Sequence, residues 1–184
     1  MRRLRFTADL ARFRDFLILV VFGPGLMALV SAMAGMEVVL LDQSAEAAEK
    51  GKAYTADYMD KGIARKKATE EKKAATLDLI TATDDYAALE GCDLIIEAVF
   101  EDMGVKAEVT NKVLDAVGAG CIFASNTSTL PITQLAKASD SPGQFIGIHF
   151  FSPVEKMALV EIIKGKETGD RAVAKALDYV RQIR

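Results

Sequence analysis

Short apolar runs alternate along the chain with longer segments of mixed polarity. Several runs, such as "FLILVVF" at 16–22, are apolar throughout instead of alternating, which is typical of strands covered on both faces. The predicted strands are 16–22, 36–42, 77–83, 93–99 and 121–126, with a closing antiparallel pair at 145–151 and 158–163. The predicted helices are 26–34, two within 44–76, 84–90, 103–117 and 168–183. This alternation predicts an α/β fold with a mostly parallel sheet, helices on both faces and a pair of helices inserted after the second strand.

The N-terminal part contains a long uncharged segment. Residues 16–36 carry no charged side chain and follow a segment with five arginines. A run of this length could span a bilayer, and "SAMAG" at its end is typical of a signal-peptidase site, which leaves export or membrane anchoring as an alternative. The favoured interpretation is a buried strand, a tight turn and a buried helix, because "GPG" at 23–25 interrupts the run and another strand follows. On this interpretation no membrane association is expected.

Composition and charge narrow the class of protein. The residues are 51% apolar and 27% charged, as in ordinary globular proteins, and 184 residues suffice for one domain with a substantial core. The formal net charge of −3 disfavours a nucleic-acid partner, which requires a basic surface. Cys92 and Cys121 lie far apart and outside any ligand spacing, so we expect two buried free thiols in the reducing cytoplasm and no metal site.

The turn after the first strand, "FGPGLMA", has features of a phosphate-binding turn. Gly23 and Gly25 would allow a pyrophosphate to approach the N-terminus of the following helix. Asp42 ends the second strand 19 residues after Gly23, near the ~20 expected for the acid that binds the adenosine ribose. Gln43 follows with no arginine nearby, which favours NAD over NADP. Ala28 replaces the third glycine and a proline separates the first two, so an ordinary strand–helix turn is the alternative.

The only histidine, His149, lies in the predicted strand 145–151, and Glu161 follows twelve residues later inside the apolar run "LVEII". If "SPVEKM" turns the chain, the two strands are antiparallel about residue 155 and these side chains face each other. A glutamate buried in such a run needs a partner, and a carboxylate both orients an imidazole and stabilises its protonated form. The pairing predicts a general base at the carboxyl end of a late strand. The alternatives are a core histidine and a glutamate on an exposed strand face.

Three long stretches resemble one enzyme family. They are "CDLIIEAVFEDMGVKAEV", "IFASNTSTLPIT" and "GIHFFSPVEKMALVEII", and they are similar to the L-3-hydroxyacyl-CoA dehydrogenases, most of all to the dehydrogenase part of bacterial multifunctional fatty-acid oxidation α-subunits. The likeness covers residues 16–184, and residues 1–15 form an atypical N-terminal segment outside it. It implies a Rossmann-type NAD-binding domain and the NAD-dependent oxidation of 3-hydroxyacyl-CoA to 3-ketoacyl-CoA in fatty-acid β-oxidation.

The resemblance also implies roles for single residues. His149 matches the family's general base, Glu161 the carboxylate paired with it, and Ser128 the serine that bonds the substrate oxygen near the nicotinamide. The residues implied for the cofactor site are Gly23, Gly25, Asp42, Gln43, Ala98, Val99, Glu101, Lys106, Asn126, Ser128 and Ser152. Without the resemblance, the polar residues at 126–128 would be interpreted as turn formers and the charges at 101–106 as a solvated helix start.

The chain departs from the family in its first helix and in its extent. The segment from Gly25 to Gly35 is about four residues, or roughly one helical turn, shorter than in relatives. The pattern stops at "DYVRQIR", where another strand would follow, so we expect one domain of a longer protein, without the helical C-terminal domain that supplies the family's catalytic asparagine. Such a helical domain, or a second copy of the chain, is an expected partner. The alternative is a non-catalytic fragment that binds a dinucleotide or docks to a partner.

Overall fold

The computed structural model describes residues 17–21, 25–117, 120–154 and 159–183, with residues 17–21 described by their backbone alone. The strands in this part of the chain are β1 (Leu17–Val21), β2 (Glu37–Leu41), β3 (Ile80–Thr83), β4 (Leu94–Glu97), β5 (Ile122–Ser125), β6 (Phe145–Phe150) and β7 (Val160–Ile163). The helices are α1 (Leu26–Met33), α2 (Ala45–Ala64), α3 (Glu70–Asp78), α4 (Met103–Ala116), α5 (Ile132–Leu135) and α6 (Asp170–Gln182). Short 3₁₀ turns lie at Tyr86–Leu89, Ala136–Ala138 and Pro142–Gln144.

The strands form one sheet in the order β3-β2-β1-β4-β5-β6-β7. Neighbouring strands from β3 through β6 are parallel, and β7 at the edge is antiparallel to β6. The order reverses its direction between β1 and β4, as in the Rossmann fold, where ligands bind beyond the carboxyl ends of the strands at the reversal. The predicted fold class is therefore confirmed, including the helical pair α2–α3 after the second strand.

Helices cover both faces of the sheet. On one face α1 and α6 bury small and apolar side chains against the strands, and the buried hydroxyls of Ser31 and Tyr179, 2.9 Å apart, join these two helices. On the other face α4, α5 and the 3₁₀ turn at 86–89 form a second core. Every residue of β4 and β5 is buried, which explains why both strands are apolar except for Glu97 and Ser125 at their carboxyl ends.

The third strand is shorter than predicted. The sequence pattern predicts a strand over 77–83, but α3 continues to Asp78 and β3 begins at Ile80. The Thr69 hydroxyl caps α3 by accepting the N–H of Lys72 at 3.2 Å, and good helix formers behind this cap carry the helix into the predicted strand. The predicted helix at 84–90 is a single 3₁₀ turn, and α5 is too short to have a detectable period.

The described part of the uncharged segment 16–36 forms a strand and a helix, as the favoured interpretation predicts. Leu17–Val21 is β1, in the middle of the sheet between β2 and β4, and α1 follows at Leu26. Within the described ranges, no helix is both long and apolar enough to cross a membrane.

Both cysteines are buried and free, as predicted. Burial raises the pKa of the Cys92 thiol and of the Cys121 thiol to about 12, so both thiols stay protonated at neutral pH. Among the residues that the structure describes, no group of three or more histidine, cysteine or acidic side chains could hold a metal ion.

Gly25 lies where α1 meets α2. It is the buried N-cap residue of α1, and a β-carbon on it would lie 1.9 Å from the carbonyl oxygen of Gly51 in α2. One helical turn further along α2, the Thr55 hydroxyl lies 3.5 Å from the carbonyl oxygen of Gly25. Gly25 is therefore needed for the packing of two helices, apart from any role in cofactor binding.

We expect Gly25→Ala to lower the free energy of unfolding by about 3 kcal/mol, because the backbone of α2 must move to admit the methyl group. Gly51→Ala is the matched control. Its β-carbon would meet the end of the Leu40 side chain at 2.7 Å, which can rotate away, and alanine favours the helix. Its expected cost is about 1 kcal/mol or less. Urea unfolding followed by circular dichroism measures both variants, and equal costs would contradict the packing argument.

Candidate cofactor and catalytic site at the carboxyl edge of the sheet

The predicted site residues lie along the edge of the sheet where the parallel strands end. The structure places Gly25 before α1, Asp42 and Gln43 after β2, Ala98 and Val99 after β4, Glu101 and Lys106 at the start of α4, Asn126 and Ser128 after β5, and Ser152 after β6. His149 is the penultimate residue of β6, and Glu161 is the second residue of β7. Gly23 lies outside the described residues, so its role stays a prediction.

The nucleotide half of the site is formed by the ends of β2 and α1. Asp42 is half-buried, its Oδ1 accepts the N–H of Gln43 at 2.7 Å, and its own N–H donates to the carbonyl of Thr83 at 3.1 Å. Among the described residues no side chain caps the N-terminus of α1, which leaves its first N–H groups to a phosphate. A half-buried carboxylate beside an uncapped helix N-terminus fits the ribose and the pyrophosphate of NAD.

The β6–β7 hairpin pairs His149 with Glu161, as the sequence predicts. The two residues are direct cross-strand partners, and His149 Nδ1 lies 3.0 Å from Glu161 Oε2. The ring of Phe151 packs beside the imidazole at a centroid distance of 4.6 Å. Because Nδ1 faces a carboxylate, it carries the hydrogen and donates it, which leaves Nε2 as the basic nitrogen. This is the geometry of a general base oriented by a carboxylate.

The premise that Glu161 is buried is wrong. Its side chain is 49% exposed, whereas that of His149 is 16% exposed. The reason is that β7 is the edge strand, and each of its four residues is at least partly exposed. The pairing therefore follows from the register of the hairpin and not from burial of the carboxylate.

The turn after β5 links the two halves of the site. Asn126 Oδ1 accepts the N–H of Phe150 at 2.9 Å, and the N–H of Asn126 donates to the carbonyl of Glu97 at 2.6 Å. These bonds hold the ends of β4, β5 and β6 together next to His149. Ser128, two residues further on, is exposed to a ligand.

Glu101 holds the backbone of this turn. Its Oε1 accepts the N–H groups of Ser128 and Thr129 at 3.1 and 3.2 Å, and also the hydroxyls of Thr127 and Thr129. Burial raises the pKa of the Glu101 carboxyl, but the bonds from Thr127 and Thr129 and the charge of Lys106 outweigh it and lower the pKa from 4.5 to about 2. Glu101 is therefore ionised at neutral pH.

Lys106, which the resemblance implies for the cofactor site, lies beneath its surface. Its side chain is 1% exposed, and its Nζ is 2.7 Å from Glu97 Oε1 and 3.4 Å from Glu101 Oε2. Glu97 is fully buried and also accepts the Ser125 hydroxyl and the Val99 N–H, each at 2.7 Å. The ammonium group of Lys106 and the carboxylate of Glu97 therefore contact only protein groups among the described residues. They lie under the half-buried backbone that follows β4.

Glu97 and Ser125 are functional-site neighbours that the sequence analysis does not predict. A signal for Glu97 is present, because this carboxylate ends the apolar run "LII" of a strand expected to be buried on both faces. Such a group requires a buried cation nearby. Lys106, in the following helix α4, is that cation.

We expect the pH dependence of stability to report the state of Glu101. Because its folded pKa is below the unfolded value, its ionised form stabilises the fold fully above about pH 4.5, and this contribution is lost as the pH falls towards 2. The stability difference between the wild type and Glu101→Gln should therefore shrink over that window, as measured by urea unfolding. Glu90→Gln, at an exposed position, should leave the pH profile unchanged. A difference for Glu101→Gln that stays constant down to pH 3 would contradict the assignment.

Comparisons with known proteins identify the family of this chain. A family model described as 3-hydroxyacyl-CoA dehydrogenase, NAD binding domain, matches residues 19–184. The fatty acid oxidation complex subunit alpha of Shewanella amazonensis is 36% identical over 160 residues, which are 87% of this chain and 23% of that protein.

Solved structures show the same fold over most of the chain. The (S)-3-hydroxybutyryl-CoA dehydrogenase of Ralstonia eutropha is 37% identical with a TM-score of 0.86, over 91% of this chain and 60% of that one. The 3-hydroxybutyryl-CoA dehydrogenase of Escherichia coli is 29% identical with a TM-score of 0.87, over 91% of this chain and 36% of that one. The chain thus spans only part of these relatives. By its match over residues 19–184, its strand order and the likeness of these structures, it belongs to the family of 3-hydroxyacyl-CoA dehydrogenase NAD-binding domains.

Proposed function

We propose that this chain supplies the NAD site and the catalytic base of an oxidoreductase that converts 3-hydroxyacyl-CoA to 3-ketoacyl-CoA. The observation that carries the proposal is the His149–Glu161 pair, 3.0 Å apart, at the carboxyl edge of a Rossmann sheet. The names of the relatives, two of them 3-hydroxybutyryl-CoA dehydrogenases and one a fatty acid oxidation subunit, support the same substrate class. Since the chain covers 60% or less of each relative, the activity of the whole protein is inferred from this part.

The proposed reaction breaks an O–H bond and a C–H bond at C3 of the substrate. His149 Nε2 takes the proton of the 3-hydroxyl, and the Glu161 carboxylate stabilises the imidazolium that results. NAD, when bound, supplies the acceptor for the hydride from C3, so the C–O single bond becomes a carbonyl. Ser128 donates a hydrogen bond to the same oxygen, and Asn126 keeps β6, and with it His149, at a fixed distance from this serine.

A second domain is proposed to cover the catalytic pair. Glu161 is half exposed, and Leu159, just before β7, is 53% exposed. A hydride transfer requires that water be kept away from the reacting atoms, so this edge needs a cover. A helical domain with a catalytic asparagine, as in the resembling enzymes, is the proposed cover, with a second copy of the chain as a further partner. We place the protein in the cytoplasm.

Calorimetric titration with NADH tests the cofactor half of the site. We expect micromolar binding, weakened about tenfold or more in Asp42→Ala, because a charge-assisted bond to the ribose contributes about 1.5–3 kcal/mol. The same carboxylate repels a 2′-phosphate, so NADPH should bind more weakly than NADH, and Asp42→Ala should narrow that gap. Glu37→Ala is the matched control, because Glu37 is exposed at the opposite end of the same strand and its loss should leave the affinity unchanged.

The outcome of this titration decides whether the turn after β1 contributes to a site that binds NADH. No binding at millimolar NADH, by a chain whose circular dichroism shows an intact fold, would overturn the proposed cofactor site. Equal affinity of Asp42→Ala and wild type would leave binding in place but remove Asp42 from the ribose site.

Turnover of 3-hydroxybutyryl-CoA, followed by the absorbance of NADH, tests the catalytic half. We expect His149→Gln to lower kcat by about 1000-fold, because glutamine has no basic nitrogen. We expect Glu161→Gln to lower kcat by about 100-fold, because this glutamine keeps the hydrogen bond to His149 but removes the charge. The affinity for NADH should not change in either variant. Glu167→Gln, exposed on the loop after β7, is the control and should retain full activity.

The assay is run on the chain alone and with the part of the Ralstonia eutropha dehydrogenase that this chain does not cover added. Turnover that appears only with this addition would support the proposed cover. NADH binding without turnover in both assays would favour the alternative, a dinucleotide-binding module that is not itself catalytic. A Glu161→Gln variant as active as wild type would remove the carboxylate from the mechanism.

A further inference from the structure

An ion pair is fully buried under the carboxyl ends of β4 and β5. The side chains of Glu97 and Lys106 are 0% and 1% exposed, and Ser125 and Thr127 beside them are buried as well. Desolvation of two charges opposes folding, and replacement of buried ion pairs by apolar residues of similar volume is often neutral or stabilising in proteins. The presence of the ion pair therefore requires an explanation other than stability.

The contacts of the ion pair lead from β4 towards the surface of the site. Glu97 Oε1 accepts Lys106 Nζ at 2.7 Å, which fixes the end of the long lysine side chain. The same Nζ donates to the carbonyl of Val99 at 3.3 Å and lies 3.4 Å from Glu101 Oε2. Lys106 thus stands between two carboxylates, one fully buried and one at the surface.

Glu101 connects the ion pair to the turn that carries Ser128. Its Oε2 faces Lys106, while its Oε1 accepts the N–H groups of Ser128 and Thr129 at 3.1 and 3.2 Å. The Glu101 side chain is 34% exposed, so without the ammonium group behind it the carboxylate would gain rotational freedom towards water. The orientation of this carboxylate then determines where the backbone of Ser128 lies.

We propose that Glu97 is a positioning residue that sets the place of the Ser128 hydroxyl through Lys106 and Glu101. The proposal rests on the role proposed above for Ser128 in the oxidation of the 3-hydroxyl. Glu97 is completely covered, so its effect on a ligand must pass through other residues. It acts on the geometry of a hydrogen-bond donor to the reacting oxygen, where a small displacement lowers the rate.

The test compares Glu97→Gln, Lys106→Met and the double variant that carries both substitutions. Lys106→Met leaves the buried Glu97 carboxylate without its cation, and Glu97→Gln leaves Lys106 with only the more distant Glu101 carboxylate, so each single variant should unfold at lower urea concentration. The double variant has a neutral pair of similar volume and should recover most of the loss. Lys112→Met is the control, since Lys112 lies on the same helix with an exposed partner, Glu108.

The decisive measurement is hydrogen–deuterium exchange by NMR at the amides of Ser128 and Thr129. In the double variant we expect exchange of these two amides to be about tenfold faster, the effect of losing one hydrogen bond, with no change at the amides of β2. Turnover should fall about tenfold in kcat with an unchanged KM for NAD. Ser125→Ala removes a single bond to Glu97, disturbs the fold least, and should raise exchange at the same amides about threefold.

If the amides of Ser128 and Thr129 exchange at the wild-type rate in a folded double variant, or in Ser125→Ala, the proposal is overturned. The ion pair would then serve packing only. Faster exchange with full kcat would equally overturn it, because the turn would then move without effect on the reaction. The exchange is measured without cofactor or substrate. If the wild type shows no turnover, the proposed oxidation fails. The exchange measurement still tests whether Glu97 positions Ser128, so the two failures can be told apart.

Discussion

The common direction of β1 to β6 is the constraint on which the site depends. Because these strands are parallel, their carboxyl ends lie along a single edge, and Asp42, Asn126 and His149 all lie along it although they are distant in sequence. The reversal of strand order between β1 and β4 opens the crevice for a ligand at that edge. The antiparallel strand β7 then brings a carboxylate back to the same edge beside the histidine.

The fold class and the His149–Glu161 pairing are predictable for different physical reasons. Strands covered by helices on both faces have continuous apolar runs, so their number and order along the chain are visible in the sequence. His149 and Glu161 are predictable because a hairpin places residues equidistant from its turn opposite each other. The boundary between α3 and β3 is not predictable in this way, because Thr76 to Asp78 suit either element and the cap at Thr69 decides between them.

The difference in burial between Glu97 and Glu161 cannot be predicted from the sequence. Glu97 and Glu161 both lie in apolar runs, "LIIE" and "LVEII", and each could be the carboxylate that requires a partner. The position of a strand within the sheet separates them, since β4 is central and β7 is at the edge. Strand order is a property of the folded sheet, so the sequence carries the same signal for both glutamates, and only the folded sheet shows that Glu97 is the fully buried one.

The two halves of the site differ in what holds them. The nucleotide half depends on the approach of two helix backbones at Gly25 and Gly51, which tolerates no added atom on the first glycine. The turn after β5 depends on the ionised Glu101 carboxylate, and so on pH, and on the Glu97–Lys106 contact behind it. Among the bonds described above, the Asn126 side chain, which accepts the N–H of Phe150, connects this turn to the β6–β7 hairpin.

The β6–β7 hairpin confines the catalytic base and its carboxylate to one short segment of sequence. Since side chains alternate between the two faces of a strand, changes in the length of the connecting loop leave the pair intact as long as the ladder keeps its register. A slip of one residue would turn Glu161 to the opposite face. An exchange of this one hairpin between two proteins would therefore move the histidine and its carboxylate together.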